Sequence, residues 1–409
     1  MPRRGFWNAS PIPVILCLVL SCDGSGPSVD PPLALTKIVA GFNRTCALTG
    51  EDVAYCWGKP IPGTPGIDPS CAGVECYRTR PDTLSLGLGF QDLRLAANIF
   101  GDAVCGISPD SQAYCWGVLL VGFDGGLDIG STPQPLEPPS PLTSIRVASR
   151  HFCGLTAAGQ AHCWGDYRGG VRGTGESVGE FATPDLVPNP VAGGFTFTQL
   201  ALGLGNSCGL DPAGAAYCWG SSVALGNTEA PLSSEEECGF TVPPFHTSCS
   251  HLPVAVAGGH SFQQIAAGQG HVCGLTAGGE AYCWGTNELG ELGTGDTVYA
   301  ATPVPAGLPE PAGSIALGSR FTCALGVSGQ AYCWGESSAG QIGSGSITLS
   351  VPVPTAVAGG GSYRSITAGN DHACALRLTG ELDCWGGNWL GQLGTGDIEN
   401  SAVPREVEF

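Results

Sequence analysis

Two short apolar runs separated by turn residues recur seven times along the chain. They read CALTGEDVAYCWG from Cys46, CGISPDSQAYCWG from Cys105, CGLTAAGQAHCWG from Cys153, CGLDPAGAAYCWG from Cys208, CGLTAGGEAYCWG from Cys273, CALGVSGQAYCWG from Cys323 and CALRLTGELDCWG from Cys374. Six carry Gly or Ser midway, where a hairpin turns, and the first has Gly50-Glu51-Asp52 there. Each window predicts a β-hairpin. Alternating side chains put Cys46 and Leu48 on the same face as Ala54 and Cys56. The two cysteines then stand opposite each other, at the roughly 4.5 Å of a non-hydrogen-bonded pair, within reach of a disulfide. Tyr55 and Trp57 occupy the other face, and rings of that size need a second surface to cover them. One hairpin cannot supply it, so repeats must stack on repeats.

A further short strand precedes each hairpin, visible as Ile38-Val39-Ala40-Gly41, Ile265 to Gly268, Ile315 to Gly318 and Ile366 to Gly369. Pro/Val segments at Thr302 to Pro305, Val351 to Pro354 and Val403 to Val407 suggest a fourth strand. Long amphipathic helices are missing, because no 15-residue window keeps a helical apolar recurrence free of Gly or Pro. Four strands per unit and seven units of about 50 residues predict an all-β chain, a seven-bladed β-propeller of four-stranded antiparallel blades. An open solenoid is the other architecture such repeats allow, but it would need polar capping repeats that are absent. Residues 31 to 35 could lie beside residues 403 to 408 as a strand clasp closing the ring.

The last three repeats continue past Trp-Gly as TNELGELGTGD, ESSAGQIGSGS and GNWLGQLGTGD. In this they resemble repeats of the regulator of chromosome condensation family, whose fold is a seven-bladed propeller. The resemblance covers residues 36 to 409, and the cysteine pair in each repeat is similar to that of exported bacterial members. It implies a binding scaffold, since the family includes a guanine-nucleotide exchange factor for a small GTPase and bacterial inhibitors of β-lactamase. Neither activity carries over, because no matching motif aligns. The glycines of the LGxLGxG segment, such as Gly290, Gly293 and Gly295, read as turn and close-packing positions, since no Lys follows to make a phosphate loop.

The first four repeats differ after Trp-Gly. Residues 59–80, 118–140, 166–190 and 221–258 are longer, irregular and rich in Pro, Gly and acids. All fall at the same point of the unit, so a ring places the four inserts on one face. Cys71 with Cys76, and Cys238 with Cys249, would staple two of them. Stapled loops suit recognition, although surface loops also tolerate growth without any ligand.

Composition agrees with short strands and tight turns: 65 Gly and 32 Pro in 409 residues, with only 12% charged. The 16 Lys and Arg stand against 35 Asp and Glu, a formal net charge of −19. Nucleic acid and anionic membranes, which demand basic patches, are therefore poor partners. Residues 1–22 have Arg3 and Arg4 before an apolar stretch from Ile12 to Leu20 and read as an export signal. Val19-Leu20-Ser21-Cys22 resembles a lipobox, which makes Cys22 the expected lipidation site. Residues 23–33 form a Gly/Pro/Ser tether, and residues 34–409 the propeller. Export to a bacterial cell envelope, or to the extracellular space, agrees with so many cysteines.

Cys17 and Cys22 aside, eighteen cysteines divide into nine local disulfides: the seven hairpin pairs (Cys46–Cys56, Cys105–Cys115, Cys153–Cys163, Cys208–Cys218, Cys273–Cys283, Cys323–Cys333, Cys374–Cys384) and the two insert pairs. Cys238, His246, Cys249, His251, His260 and His271 could be gathered into a zinc site, but their spacing matches no finger. Ser207, His271 and Asp211 could be written as a triad, without the strained elbow such a nucleophile needs. No catalytic residue, metal or cofactor is expected. Phe123, Phe181, Phe240 and Phe245 in the inserts, with Trp389 after the last hairpin, are candidate anchors for a partner. The expected function is that of a monomeric scaffold binding an unknown envelope or extracellular protein or ligand through the insert-bearing face. A hydrolase or lyase acting on polysaccharide at the channel mouth, and a purely structural envelope protein, are the alternatives.

Overall fold

The structure, a computed structural model, describes residues 33–61, 77–84, 86–96, 103–120, 126–176, 185–234, 238, 248–359 and 361–409. The export signal, Cys22, nearly all of the tether, the Cys71–Cys76 pair, and Phe123, Phe181, Phe240 and Phe245 lie outside these residues.

Seven four-stranded antiparallel sheets, each drawn from one continuous stretch of chain, form the blades. Blade 1 uses Leu35–Ala40, Arg44–Thr49, Ala54–Gly58 and Arg78–Thr83; blade 2 uses Asp92–Leu95, Val104–Ile107, Ala113–Leu120 and Gly126–Pro135. Blade 3 is Leu142–Val147, His151–Thr156, Ala161–Gly165 and Asp185–Pro190, and blade 4 Gln199–Leu202, Asn206–Leu210, Ala216–Ser221 and Cys249–Ala255. Blade 5 is Phe262–Ala267, His271–Thr276, Ala281–Gly285 and Ala300–Pro305. Blade 6 is Ala312–Leu317, Phe321–Gly326, Ala331–Glu336 and Ser350–Ala356, and blade 7 Tyr363–Ala368, His372–Arg377, Leu382–Gly386 and Ser401–Glu406. The first strand of each blade touches the first strand of the next, and that of blade 7 touches that of blade 1, so the ring is closed.

Each cysteine pair is in direct register across the second and third strands, Cys273 opposite Cys283 for example, with a Cα separation of 4.1 Å. One disulfide of this kind occurs in every blade. The cysteine face of one blade and the tryptophan face of the next enclose a common apolar core. Cys323 and Cys333 of blade 6 thus pack with Trp385 and Tyr363 of blade 7, and seven such cores alternate with seven sheets. All seven motif tryptophans are at most 1% exposed. Burying a side chain of this size contributes about 2 to 3 kcal/mol, so the seams between blades supply much of the fold's stability.

No strand is shared between the two ends of the chain. Leu35 pairs with Thr49 inside blade 1, and Ser401 with Gly386 inside blade 7, which corrects the expected clasp over its described residues. Closure uses side-chain packing together with a loop bond from Asn370 N to Gly41 O. Leu33, Leu35 and Val407 share a core with Trp57 and Cys384, and Phe409 presents its ring edge-on to Tyr55 and Trp57 at 6.0 Å. A second correction concerns residues 118–120 and 126–135, expected as part of an irregular insert, which are strand. The third and fourth strands of blade 2 continue as a paired ribbon, with Val118 opposite Asp128 and Leu120 opposite Gly126.

Candidate interaction face

The connection between the third and fourth strands leaves every blade on the same side of the ring. Blades 5 to 7 use a short, tightly bonded version. Asn287 donates to the Asp296 and Val298 carbonyls at 3.2 and 3.0 Å while its Oδ1 accepts from Leu292 N at 2.9 Å, and Asn388 acts alike on Asp397 and Leu393. Gly293, at φ +73°, brings this segment onto the next blade, where a Cβ would stand 2.8 Å from the Trp334 indole nitrogen. Only glycine combines that backbone angle with so close an approach.

The segment ends in a latch. The carbonyl of Glu291 accepts Trp334 Nε1–H at 2.8 Å and Thr322 Oγ1–H at 3.0 Å. Having spent its one proton, the Thr322 hydroxyl accepts from His271 Nε2–H at 3.0 Å. The same triple joins His151, Ser207 and Val171 O with Trp219, and His372, Thr45 and Gln392 O with Trp57. The last of these is the bond across the ring's closure. Trp284 and Trp385 bond to Ala224 O and Gln341 O without a histidine. All three histidines are fully buried, and Nδ1 of His151 and His372 has no partner among the described residues. Burial pushes each down to about 3. They are neutral parts of the seam at neutral pH, and the Ser207 hydroxyl is committed to His151 rather than to His271.

These latches escaped the reading of the sequence, although they leave a signal. His stands two positions before the first cysteine in repeats 3, 5 and 7, and a hydroxyl stands one position before it in repeats 4, 6 and 1. The alternation becomes visible only when each repeat is compared with its neighbour.

The inserts of blades 3 and 4 are bonded to each other. A 3-10 turn, Arg168–Gly170, opens the blade 3 insert, and Gly169 N donates to Cys238 O at 2.7 Å. Gly175 N donates to His251 O at 3.0 Å. Cys238 is tied to Cys249 at the start of the fourth strand of blade 4. Both cysteines are thus taken up by a disulfide, and among the described residues no three side chains converge as metal ligands. Asp166, 1% exposed, anchors the turn through Arg150 and, at 3.3 Å, Arg168. Tyr167, Arg172, Thr174, Glu176 and His251 line a hollow between the two inserts.

Closer to the axis the loops joining first and second strands are hydrogen-bonded blade to blade: Gln269 N to Ser319 O, Ser319 N to Asn370 O, Asn370 N to Gly41 O and Phe42 N to Ala96 O. A Cβ on Gly369 would lie 2.3 Å from Gly41 O, so glycine lets these backbones close the rim. Asp371, on this rim, has its carboxyl raised to about 6 by burial and by Glu336. Trp389 lies nearby, 48% exposed, with its ring edge over Gly387.

Family models described as regulator of chromosome condensation (RCC1) repeat match residues 262–291, 314–341 and 363–392, and again 278–325 and 328–376. Residues 262–392 thus carry repeats of this family. The matched residues fall in blades 5 to 7, where the short connection is kept. The ultraviolet-B receptor UVR8 of Arabidopsis thaliana is 27% identical over 148 residues, 35% of this chain and 34% of the receptor. The chain therefore spans about a third of the length of that relative. Among solved structures, Prp20p of Saccharomyces cerevisiae has a TM-score of 0.69 at 20% identity, over 92% of this chain and 88% of that one. Human WBSCR16 has a TM-score of 0.71 at 19% identity, over 87% and 94%. At such identities the likeness is one of fold.

Proposed function

We propose that this propeller is exported, held to the envelope by a lipid on Cys22, and recognises another protein through the insert-bearing face. The observation that carries the reading is the bonded pair of inserts on blades 3 and 4. An insert that merely tolerates growth has no need of a disulfide and bonds to its neighbour. Locking Cys238 against both Cys249 and the turn at Gly169 lowers the entropy lost when a partner docks. The disulfide in every blade suits an oxidising compartment. Yeast RCC1 (Prp20) has been crystallised with Kap60 bound, and Prp20p was studied for binding to Gsp1p and histones, so this fold serves protein recognition elsewhere. Phe123, Phe181, Phe240, Phe245 and Trp389 remain the proposed anchors.

Affinity capture with the intact ectodomain, beside a version whose four inserts are cut to the short form of blades 5 to 7, tests the face. Partners recovered equally by both would refute it. Labelling with an alkynyl fatty acid tests the anchor, and Cys22→Ala should abolish incorporation.

Polysaccharide hydrolysis is a second reading, favoured by Asp371. A carboxyl kept protonated near pH 6 beside Glu336, with an exposed indole close by, has the parts of a general acid with a sugar platform. Asp371→Asn would abolish turnover of the glycan cleaved. Absence of any reducing-end release across an envelope polysaccharide panel would remove this reading.

A further inference from the structure

The first strands of the seven blades line the axis, and two positions on each are set by register. One stands opposite the residue two beyond the first cysteine, as Lys37 faces Leu48 and Asp92 faces Ile107. The other stands opposite that cysteine itself, as Arg94 faces Cys105 and Arg146 faces Cys153. In blades 4 to 7 the two positions hold Gln199 and Ala201, Gln264 and Ala266, Ser314 and Ala316, and Ser365 and Thr367. None of those is charged. Every charge at these positions is on blades 1 to 3: three cations and one carboxylate.

Asp92 is shared. Lys37 Nζ bonds to its Oδ1, and Arg94 reaches the same oxygen at 3.3 Å. Among the described residues Arg146 is held by backbone alone, Nε on Leu200 O at 3.1 Å and Nη1 on Ile145 O at 2.9 Å. Arg94 Nε is buried with no acceptor among the described residues. The side chains of Lys37, Asp92 and Arg94 are only 31%, 12% and 23% exposed, so water compensates them poorly. Burial and neighbouring positive charge hold Lys37 below the usual range and bring Arg146 to about 10. A chain of net charge −19 has thus concentrated a surplus of two positive charges on one sector of its axial wall. Partly buried cations without counter-charge are costly, and arginine N–H groups are matched to oxyanions.

We propose that Lys37, Arg94 and Arg146 form an axial binding site for a small divalent oxyanion, a phosphate or a short dicarboxylate. The ligand supplies the two negative charges that Asp92 leaves unanswered, and takes its hydrogen bonds from the unpaired N–H groups of the arginines and from Lys37.

Isothermal titration calorimetry of the intact ectodomain at pH 7.5 and low salt, with inorganic phosphate and separately with succinate, tests this. One saturable site is expected for at least one of them, and the tighter of the two distinguishes a tetrahedral ligand from a dicarboxylate. Arg146→Gln and Arg94→Gln should each weaken binding about tenfold or more, a loss typical of one charged hydrogen bond. Asp92→Asn raises the local surplus and should tighten binding severalfold. Should Arg146→Gln disturb the fold, shown by circular dichroism and disulfide mapping, Lys37→Met removes a cation that braces no backbone. Failure of both anions to saturate below about 10 mM, binding unchanged in the folded arginine and lysine variants, or weaker binding in folded Asp92→Asn, would overturn the site.

Discussion

Seams 1–2 and 2–3 differ from the other five. Across the latter, the tryptophan of the following blade donates to a carbonyl of the preceding connection, at 2.8 to 3.0 Å. Across the former, Trp116 Nε1 and Trp164 Nε1 are buried without a partner among the described residues. Those two indoles stack instead, on Phe90 at 5.7 Å and Phe152 at 5.6 Å, more nearly parallel than the corresponding pairs in blades 4, 5 and 7. The connection from blade 2 runs as a ribbon, and Val104 and Phe152 stand where a latch places its hydroxyl. One ring therefore holds its blades by two chemistries. A latch persists beside a longer connection where the start of that connection keeps its carbonyl in place, as Val171 O of the blade 3 insert does for Trp219.

The comparison is most sharply broken by acid. His151, His271 and His372 fold as neutral rings near pKa 3, against 6.5 in the unfolded chain. Between those values the unfolded state binds more protons, so stability falls as pH drops from 6.5 towards 3 and is unaffected by these groups above 6.5. Each contributes a slope of about 1.4 kcal/mol per pH unit in that window, roughly 4 for the three. Denaturant midpoints under non-reducing conditions should show this slope, and hydrogen exchange should find the opening at seams 3–4, 5–6 and 7–1 first. Equal protection at seams 1–2 and 2–3 on acidification would contradict the division.

Tryptophan substitutions give the next largest contrast. Trp334→Phe removes the donor to Glu291 O, and about 1 to 3 kcal/mol of stability should be lost through the unmade bond and the smaller ring. Trp116→Phe breaks no hydrogen bond among the described residues and relieves a buried N–H, so its cost should be clearly smaller. Paired chemical denaturation curves decide, and equal losses would mean that the latch bond contributes nothing.

A smaller effect is expected from the hydroxyl. Thr322→Val strands His271 Nε2–H and should cost about 1 to 2 kcal/mol. Adding His271→Asn recreates the Asn206 and Val272 pairing of seam 4–5, which the fold already accepts, and should recover part of that loss. A double variant no better than the single would show that the two residues do not act together.

Much of this architecture was legible because the repeat states it seven times. Cysteine spacing, the facing of Cys46 and Cys56, and the need to cover Trp57 lead to stacked hairpins, and the count of repeats fills one ring. What was missed lies between repeats. His271 and Thr322 are 51 residues apart, and neither has meaning until one knows which face of blade 5 meets blade 6. Likewise Lys37, Asp92, Arg94 and Arg146 look like scattered charges until strand register puts them on one sector of the axis. The ribbon of blade 2 did have a local signal, apolar Val118 to Leu120 and the alternating Leu127-Asp128-Ile129 on either side of a Gly/Asp-rich stretch, hidden by the glycines beside it. Closure without a shared strand had none, since Val407 and Leu35 meet only once the ring exists.

Trp389 should produce the smallest change in stability and the most informative change in binding. It is half exposed, hangs over Gly387 and belongs to blade 7, a regular blade without an insert. Trp389→Ala removes no latch and opens no buried core, so the denaturation midpoint should shift by less than about 0.5 kcal/mol. An indole held against a rigid rim is nevertheless a strong anchor, and its removal from an interface typically costs about 2 kcal/mol or more. If the proposed face binds a protein, its capture should weaken about 30-fold, measured by surface plasmon resonance with whichever protein the intact propeller retains. Undiminished binding would confine recognition to blades 1 to 4, and would make the difference between the two halves functional as well as structural.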